Sequence, residues 1–217
     1  MRYLLGWHRL IPPALVETFA RGWSVTRGVP APVADGGALR IETGLADEHR
    51  RYVFCAPTKM IGALAAQIDT AMILIKAPMP PAEVAAQLPP HWHVERTGTM
   101  MTADLLPEVM GPLPAGIGLA AHWQGAVHFV NLTDAAGEAI GRGRMTLIDA
   151  HALHDRIAVD ERHQRRGLGR AIMQALGAEA RRHGIDRGLL TATDAGRALY
   201  ETLGWHARAP WTTAQIK

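Results

Sequence analysis

The chain has 217 residues, 48% of them hydrophobic and 20% charged, with a formal net charge of +3. That balance belongs to a globular protein with a sizeable core and argues against a surface built to coat nucleic acid. A single cysteine, Cys55, excludes an intramolecular disulfide and a cysteine-rich zinc site, and the longest aliphatic run, residues 71–75, is too short to cross a membrane.

Residues 1–13 hold no long apolar run, so a cytoplasmic protein without a membrane partner is expected. Pro12 and Pro13 open a helix whose apolar positions Leu15, Val16, Phe19 and Trp23 recur at helical spacing. The Pro- and Gly-rich stretch 28–37 reads as loop. Strands are expected at 39–43 and 51–55, with Cys55 a small buried hydrophobe. A helix capped by Thr58 and running to Ile68 comes next, then a strand at 70–76. A short helix from Pro81 to Leu88 and an extended segment at 92–103 complete the first half. Pro107, Pro112 and Pro114, interleaved with Gly111, Gly116 and Gly118, mark the best candidate boundary. It divides the chain into an N-terminal α/β region, 1–113, and a C-terminal region, 114–217.

Beyond it, strands at 127–133 and 139–149 flank a turn at 134–138, and another strand is expected at 155–159. A helix from Leu168 to His183 stops at Gly184. A strand at 188–193 leads to a helix with Asp194 as N-cap and Gly204 past its end, and residues 205–216 are expected to form a last strand or hairpin. Strands followed by strand–helix–strand–helix indicate an α/β fold with a mixed sheet.

Chemistry concentrates between Asp155 and Arg170, where a strand enters a polar turn with two glycines and the turn opens a helix. Eight of the 23 Lys and Arg lie between Arg156 and Arg187. Glycines let a ligand approach the backbone, and the first amides of a helix have no partner within it. Those donors, the positive end of the helix dipole and Arg162, Arg165, Arg166 and Arg170 suit a phosphate or pyrophosphate. A P-loop would need a wider glycine spacing and a following Lys-Ser/Thr. A dinucleotide fingerprint would need a third glycine where Ile172 stands and an acid ending the next strand, whereas Asp186 precedes that strand and Asp194 lies too far on.

Gln164-Arg165-Arg166-Gly167-Leu168-Gly169 resembles the Gln/Arg-x-x-Gly-x-Gly/Ala signature of the GNAT superfamily, and it stands between a strand and a helix as that family requires. A second block agrees: Gly188 to Thr193, then Gly196-Arg197-Ala198-Leu199-Tyr200-Glu201-Thr202-Leu203-Gly204-Trp205, is similar to the family's strand and A-x-x-L-Y-x-x-L-G-F/W helix. The resemblance implies a splayed GNAT-type sheet that binds acetyl-CoA, with no metal. It also implies transfer of an acetyl or short acyl group to a primary amine on a small-molecule or protein acceptor. A homodimer is expected on family grounds.

By the same resemblance Ile157, Ala158 and Val159 would hold the pantetheine arm, and Gln164, Arg165, Arg166, Gly167, Leu168, Gly169 and Arg170 the pyrophosphate. Thr193 and Arg197 would add cofactor contacts, although many family members carry Asn where Thr193 stands. Tyr200 matches the tyrosine that protonates the departing thiolate. Asp155, His154 and His151 are the nearest candidates for the general base. His151 with His154, and His91 with His93, could ligate a metal but lack a third ligand. The segment 70–92 faintly echoes the second block, so a degenerate GNAT-like N-terminal half is one expectation and an ordinary α/β extension the other. Trp92, Trp123 and Trp211 are expected to pack in the core rather than line an acceptor pocket. Rival functions are a silent acyl-CoA-binding module and a dinucleotide-dependent oxidoreductase.

Overall fold

Pro at the first helical position presets φ and gives up an amide that would be unpaired anyway, so α1 (Pro13–Arg27) begins where the sequence places it. The computed structural model describes residues 11–216. They divide into two compact units, one comprising residues 11–101, 191–197 and 207–216, the other Thr102–Leu190 with Ala198–His206. The Pro- and Gly-rich stretch 107–118 lies inside the second unit.

In the first unit β1 (Val33–Asp35), β2 (Ala38–Leu45) and β3 (Glu48–Val53) form antiparallel pairs. β4 (Ile73–Ala77) lies parallel to β3, as a helical crossover requires. The crossover holds α2 (Ile61–Ala65), and α3 (Pro81–Ala85) follows β4 before β5 (Trp92–Ala103). The last strand of the chain, β11 (His206–Ile216), runs between β4 and β5, giving the order β1-β2-β3-β4-β11-β5. Two expectations need correcting. The Gly-rich stretch 28–37 contains β1. Thr58 accepts from the Met60 amide (3.1 Å) in the turn before α2 and caps no helix, and α2 ends three residues before Ile68. Cys55 lies past the end of β3 and is half-buried, with burial pushing its thiol up to about 11. It is a thiol at neutral pH, not a nucleophilic thiolate.

The second unit has the order β10-β9-β8-β7-β6, formed by β6 (Gly118–Gln124), β7 (Val127–Thr133), β8 (Ala139–Ile148), β9 (His151–Val159) and β10 (Arg187–Ala192). β6 was not expected, because its Gly-Leu-Ala-Ala run has no strand signature and pairing with β7 creates it. α4 (Leu168–Arg182) joins β9 to β10, and α5 (Asp194–Glu201) follows. Ile172 and Leu176 of α4 are fully buried, each worth about 2 kcal/mol. They seat on β8 because Gly143 has no side chain there; a Cβ would collide with Ile172 and Ile157. The two units share a winding: antiparallel pairs (two in the first, three in the second), then a parallel pair bridged by a helix, with a second helix after it.

The first unit buries an unusual set of charges. Arg51 pairs with Glu48 through its guanidinium and lies 3.4 Å from the centre of the Trp23 ring on α1, a cation–π contact. Lys76 is 5% exposed and donates to Thr213 at 2.9 Å. Desolvation, with Arg51 nearby, drives its ammonium well below the ordinary range. A folded pKa below the unfolded one means that the folded state binds fewer protons. The stability from this group is greatest above the unfolded value near 10.5 and declines as pH falls toward the depressed value. Lys76→Met is expected to flatten the rise in melting temperature between pH 7 and pH 10 relative to the unaltered protein. Parallel slopes for the two proteins would show that Lys76 is not desolvated.

Candidate active site

An extra residue in β9 shapes the site. Arg142 and Arg144 of β8 face Ala158 and Asp155 of β9, so two residues on β8 span three on β9. The surplus is absorbed as a bulge, with Arg156 at φ 52. Before the bulge the register puts Asp155 on the side of Arg144. After it, Ile157 turns toward Gly143 and α4, and Ala158 lies exposed opposite Arg142. β10 pairs with β9 from Arg187↔His151 to Leu189↔Leu153. Among the described residues that pairing ends there, while β9 continues along β8 as far as Val159.

At the end of β9 the Asp160 amide bonds to the Ile140 carbonyl (2.9 Å) and the Asp160 carboxylate accepts from the Arg162 amide (2.9 Å). The hydrogen bonds from Arg162 hold the Asp160 carboxyl below its usual range. The Gln164 side chain donates through Nε2 to the Val159 carbonyl (3.2 Å), which ties the turn to the strand. Arg165 takes φ 63 and Gly167 φ 78, two left-handed residues that reverse the chain into α4. Ala171 closes the first helical bond on the Gly167 carbonyl at 3.0 Å. No side chain caps α4 and its first turn holds no acid, so its leading amides face an exposed turn edged by Arg162, Arg165, Arg166 and Arg170. Leu168, 2% exposed, anchors the helix below. A Cβ on Gly167 would meet nothing within 4 Å, whereas one on Gly169 would lie 2.8 Å from Leu199. The first glycine leaves open space at the turn; the second admits α5.

Tyr200 on α5 is 7% exposed, beside Trp205 with ring centres 6.2 Å apart. Burial and, secondarily, the negative charge of Asp155 push its phenol up to about 12. Asp155 receives both Nε (3.1 Å) and Nη2 (2.9 Å) of Arg144 on one carboxylate oxygen. His154 is buried, stacked edge-on against Trp205 and tied to the Ala152 carbonyl (3.1 Å). Burial holds it down to about 4. His151 is half-buried and also shifted down, by burial and then by Arg187. Beside Arg170 a cleft of about 550 Å³ is lined by Leu106, Met173, Gln174, Leu203 and Trp205.

Thr193 is exposed, and its hydroxyl accepts from the Gly196 amide (3.2 Å), so Thr193, not Asp194, caps α5. Arg197 lies one turn along that helix, its amide on the Thr193 carbonyl at 2.8 Å. Trp92 and Trp211 are core residues, the first donating to the Ala65 carbonyl, the second edge-on to Phe19. Trp123 is 36% exposed and donates to Glu179 at 2.7 Å. His91 accepts from or donates to no metal cluster: it meets the Ile68 carbonyl, and among the described residues no group of three or more His, Cys, Asp or Glu converges. Sequence reasoning did not find Arg144, because its pairing with Asp155 depends on a register that composition does not reveal.

Residues 124–207 match the family model described as Acetyltransferase (GNAT) domain. A search of curated proteins found no match. Among solved structures, a GCN5-related N-acetyltransferase from Kribbella flavida aligns over 93% of this chain and 95% of its own, at 14% identity and a TM-score of 0.65. One from Sphaerobacter thermophilus aligns over 95% and 94%, at 12% identity and a TM-score of 0.60. A tandem GNAT protein from the clavulanic acid biosynthesis pathway aligns over 71% of this chain and 66% of its own, at 17% identity and a TM-score of 0.53. Residues 124–207 are thus similar to a GNAT acetyltransferase domain, and the mixed α/β fold of the chain is that of GNAT structures over most of its length.

The turn's backbone makes a direct stability test. Gly167→Ala is expected to cost about 1–2 kcal/mol from the left-handed backbone alone, and Gly167→Asn distinctly less, since Asn tolerates that region. Urea denaturation of the two variants measures the difference; equal losses would mean that the glycine is held by packing.

Proposed function

We propose that this protein is an N-acetyltransferase that moves an acetyl or short acyl group from its CoA thioester to a primary amine. The observation that carries the reading is the exposed, uncapped N-terminus of α4 behind a left-handed glycine, edged by arginines and with no acid in its first turn. These residues fit a diphosphate: Gln164 to Gly169 would hold it through main-chain amides, with Arg165, Arg166 and Arg170 adding charge. Ile157, Ala158 and Val159, on the stretch of β9 past its pairing with β10, would hold the pantetheine arm. An amide of that stretch would polarise the thioester carbonyl, an interaction whose removal costs about 3 kcal/mol of barrier at comparable sites. The cleft beside Arg170 offers room for the nucleoside end.

Tyr200 keeps its proton across the physiological range, so it meets the departing sulfur as a donor. The burial that strengthens the phenol's hold on its proton also raises the proton affinity of a thiolate beside it, so the transfer is not opposed by burial itself. Asp155 is paired with Arg144 through one carboxylate oxygen. We assign its charge two tasks, keeping Tyr200 protonated and drawing the acceptor's ammonium toward the thioester, from which water carries the proton away. His154, neutral and enclosed, is left as a packing residue. The shared winding of the two units supports reading the first as a degenerate GNAT-like half. Its corresponding turn, residues 54–60, has no glycine, and α2 has five residues.

Isothermal titration with acetyl-CoA tests the cradle. Gly167→Asn, which keeps the backbone and fills the open space, is expected to weaken binding at least roughly tenfold, about 1.4 kcal/mol. Unchanged binding would remove the turn from the site. Tyr200→Phe is expected to lower kcat about 100-fold with acetyl-CoA affinity retained, read as thiol release. Equal turnover would rule out the donor role, and tight NAD(H) binding without CoA binding would replace the whole reading.

A further inference from the structure

In the second unit α4 covers one face of the sheet. The positions that a Cβ would occupy at Gly141 and Gly143 meet Ile172, and Val130 and Leu132 on β7 are fully buried on the same side. Residues directly opposed on antiparallel strands share a face, so the register defines what the other face carries. One row runs His122, Phe129, Arg144, Asp155, and the next runs Ala120, Asn131, Arg142, Ala158. The second row is exposed on all four strands. In the first, His122 and Phe129 stack with ring centres 5.4 Å apart, and Arg144 is committed to Asp155.

Arg142 is different. Among the described residues it has neither a hydrogen-bond nor an ion-pair partner. It stands exposed across from Ala158, beside Asn131. With Arg144 and Asp155 cancelling, the face holds one uncompensated positive charge next to the stretch of β9 that would carry the thioester. Two residues along a strand span about 6.5–7 Å. The Arg142 and Asp155 rows are thus neighbours on one face, close enough for a small zwitterion to meet a side chain of each.

We infer that the acceptor is an amine bearing a carboxylate, an α-amino acid, seated on this face with its carboxylate on Arg142, its ammonium toward Asp155 and its side chain over Phe129. This rests on the acyl-transfer reading above. In the reaction the amine nitrogen bonds to the acyl carbon as the carbon–sulfur bond breaks. The ammonium sheds one proton to water before this attack; the second, lost as the amide forms, returns through water to Tyr200 after Tyr200 has protonated the thiolate, yielding an N-acyl amino acid, free CoA and one released proton. Arg142 is preferred to Arg144 for the carboxylate because a bidentate guanidinium with no internal partner gives up nothing to bind it.

The test compares L-phenylalanine with 2-phenylethylamine, and L-leucine with 3-methylbutylamine, in acetyl-CoA-dependent thiol release, with acetyl-CoA affinity measured separately by titration. The amino acid of each pair is expected to have the higher kcat/KM. Arg142→Ala should cut that preference roughly 10- to 100-fold, mainly through KM, with Arg142→Lys in between. Equal or greater turnover of the decarboxylated amines, a preference unmoved in Arg142→Ala, or acetyl-CoA binding with no turnover of any of the four would overturn the inference. The last outcome leaves the cradle standing, whereas failure to bind acetyl-CoA would fell the acyl-transfer reading beneath it.

Discussion

One surplus residue in β9 governs the second unit. Strand faces alternate with a period of two, so a single insertion exchanges every side chain beyond it between faces. At Arg156 that exchange sends Ile157 onto α4 and exposes Ala158 opposite Arg142, leaving Asp155 on the same side as Arg144. A regular strand would put either Asp155 or Ala158 on the wrong face. The left-handed backbone at Arg156 is the cost of this arrangement, and α4 packing onto Gly143 through Ile172 and Leu176 is what can hold it.

Charge follows the same division. Past the end of β9, cations gather around unpartnered helix amides with no acid in the first helical turn. Alongside the strand, the charges are matched: Arg144 grips Asp155, and Tyr200 and His154 are kept neutral by burial. An anion is therefore welcomed at one end of the strand, while the groups beside it hold fixed protonation states. The buried polar set of the first unit, with Lys76, Arg51 and Glu48 near one another, has no such opening and reads as an internal network.

Long, strongly patterned elements were legible in the residues alone. β5 and β7 occupy the spans expected of them, and α4 departs by a single residue at its end. The turn from Gln164 to Gly169 was legible too, because its glycines and arginines are local and their chemistry does not depend on distant partners. What escaped was everything that pairing decides. β1 and β6 have weak strand composition and exist through their neighbours. The Thr193 cap won over Asp194 by one residue of geometry. Arg142 and Arg144 are separated by one glycine and look alike in sequence, yet one is bound and the other free, a distinction created by the bulge across from them. The candidate role of Tyr200 came from a family pattern, that of Asp155 from its nearness in sequence to the strand, and the ion pair between Asp155 and Arg144 from register.

The repeated winding carries a consequence for how such a chain can change. A duplicated framework separates the demands of folding from those of ligand capture. The half with a five-residue α2 and a glycine-free bend still closes a full hydrophobic cluster around Phe54, Ile61, Ile75 and Trp92. On the acyl-transfer reading proposed above, its bend is free to accept substitutions that the turn of the second unit would not tolerate, and new surface chemistry can arise there.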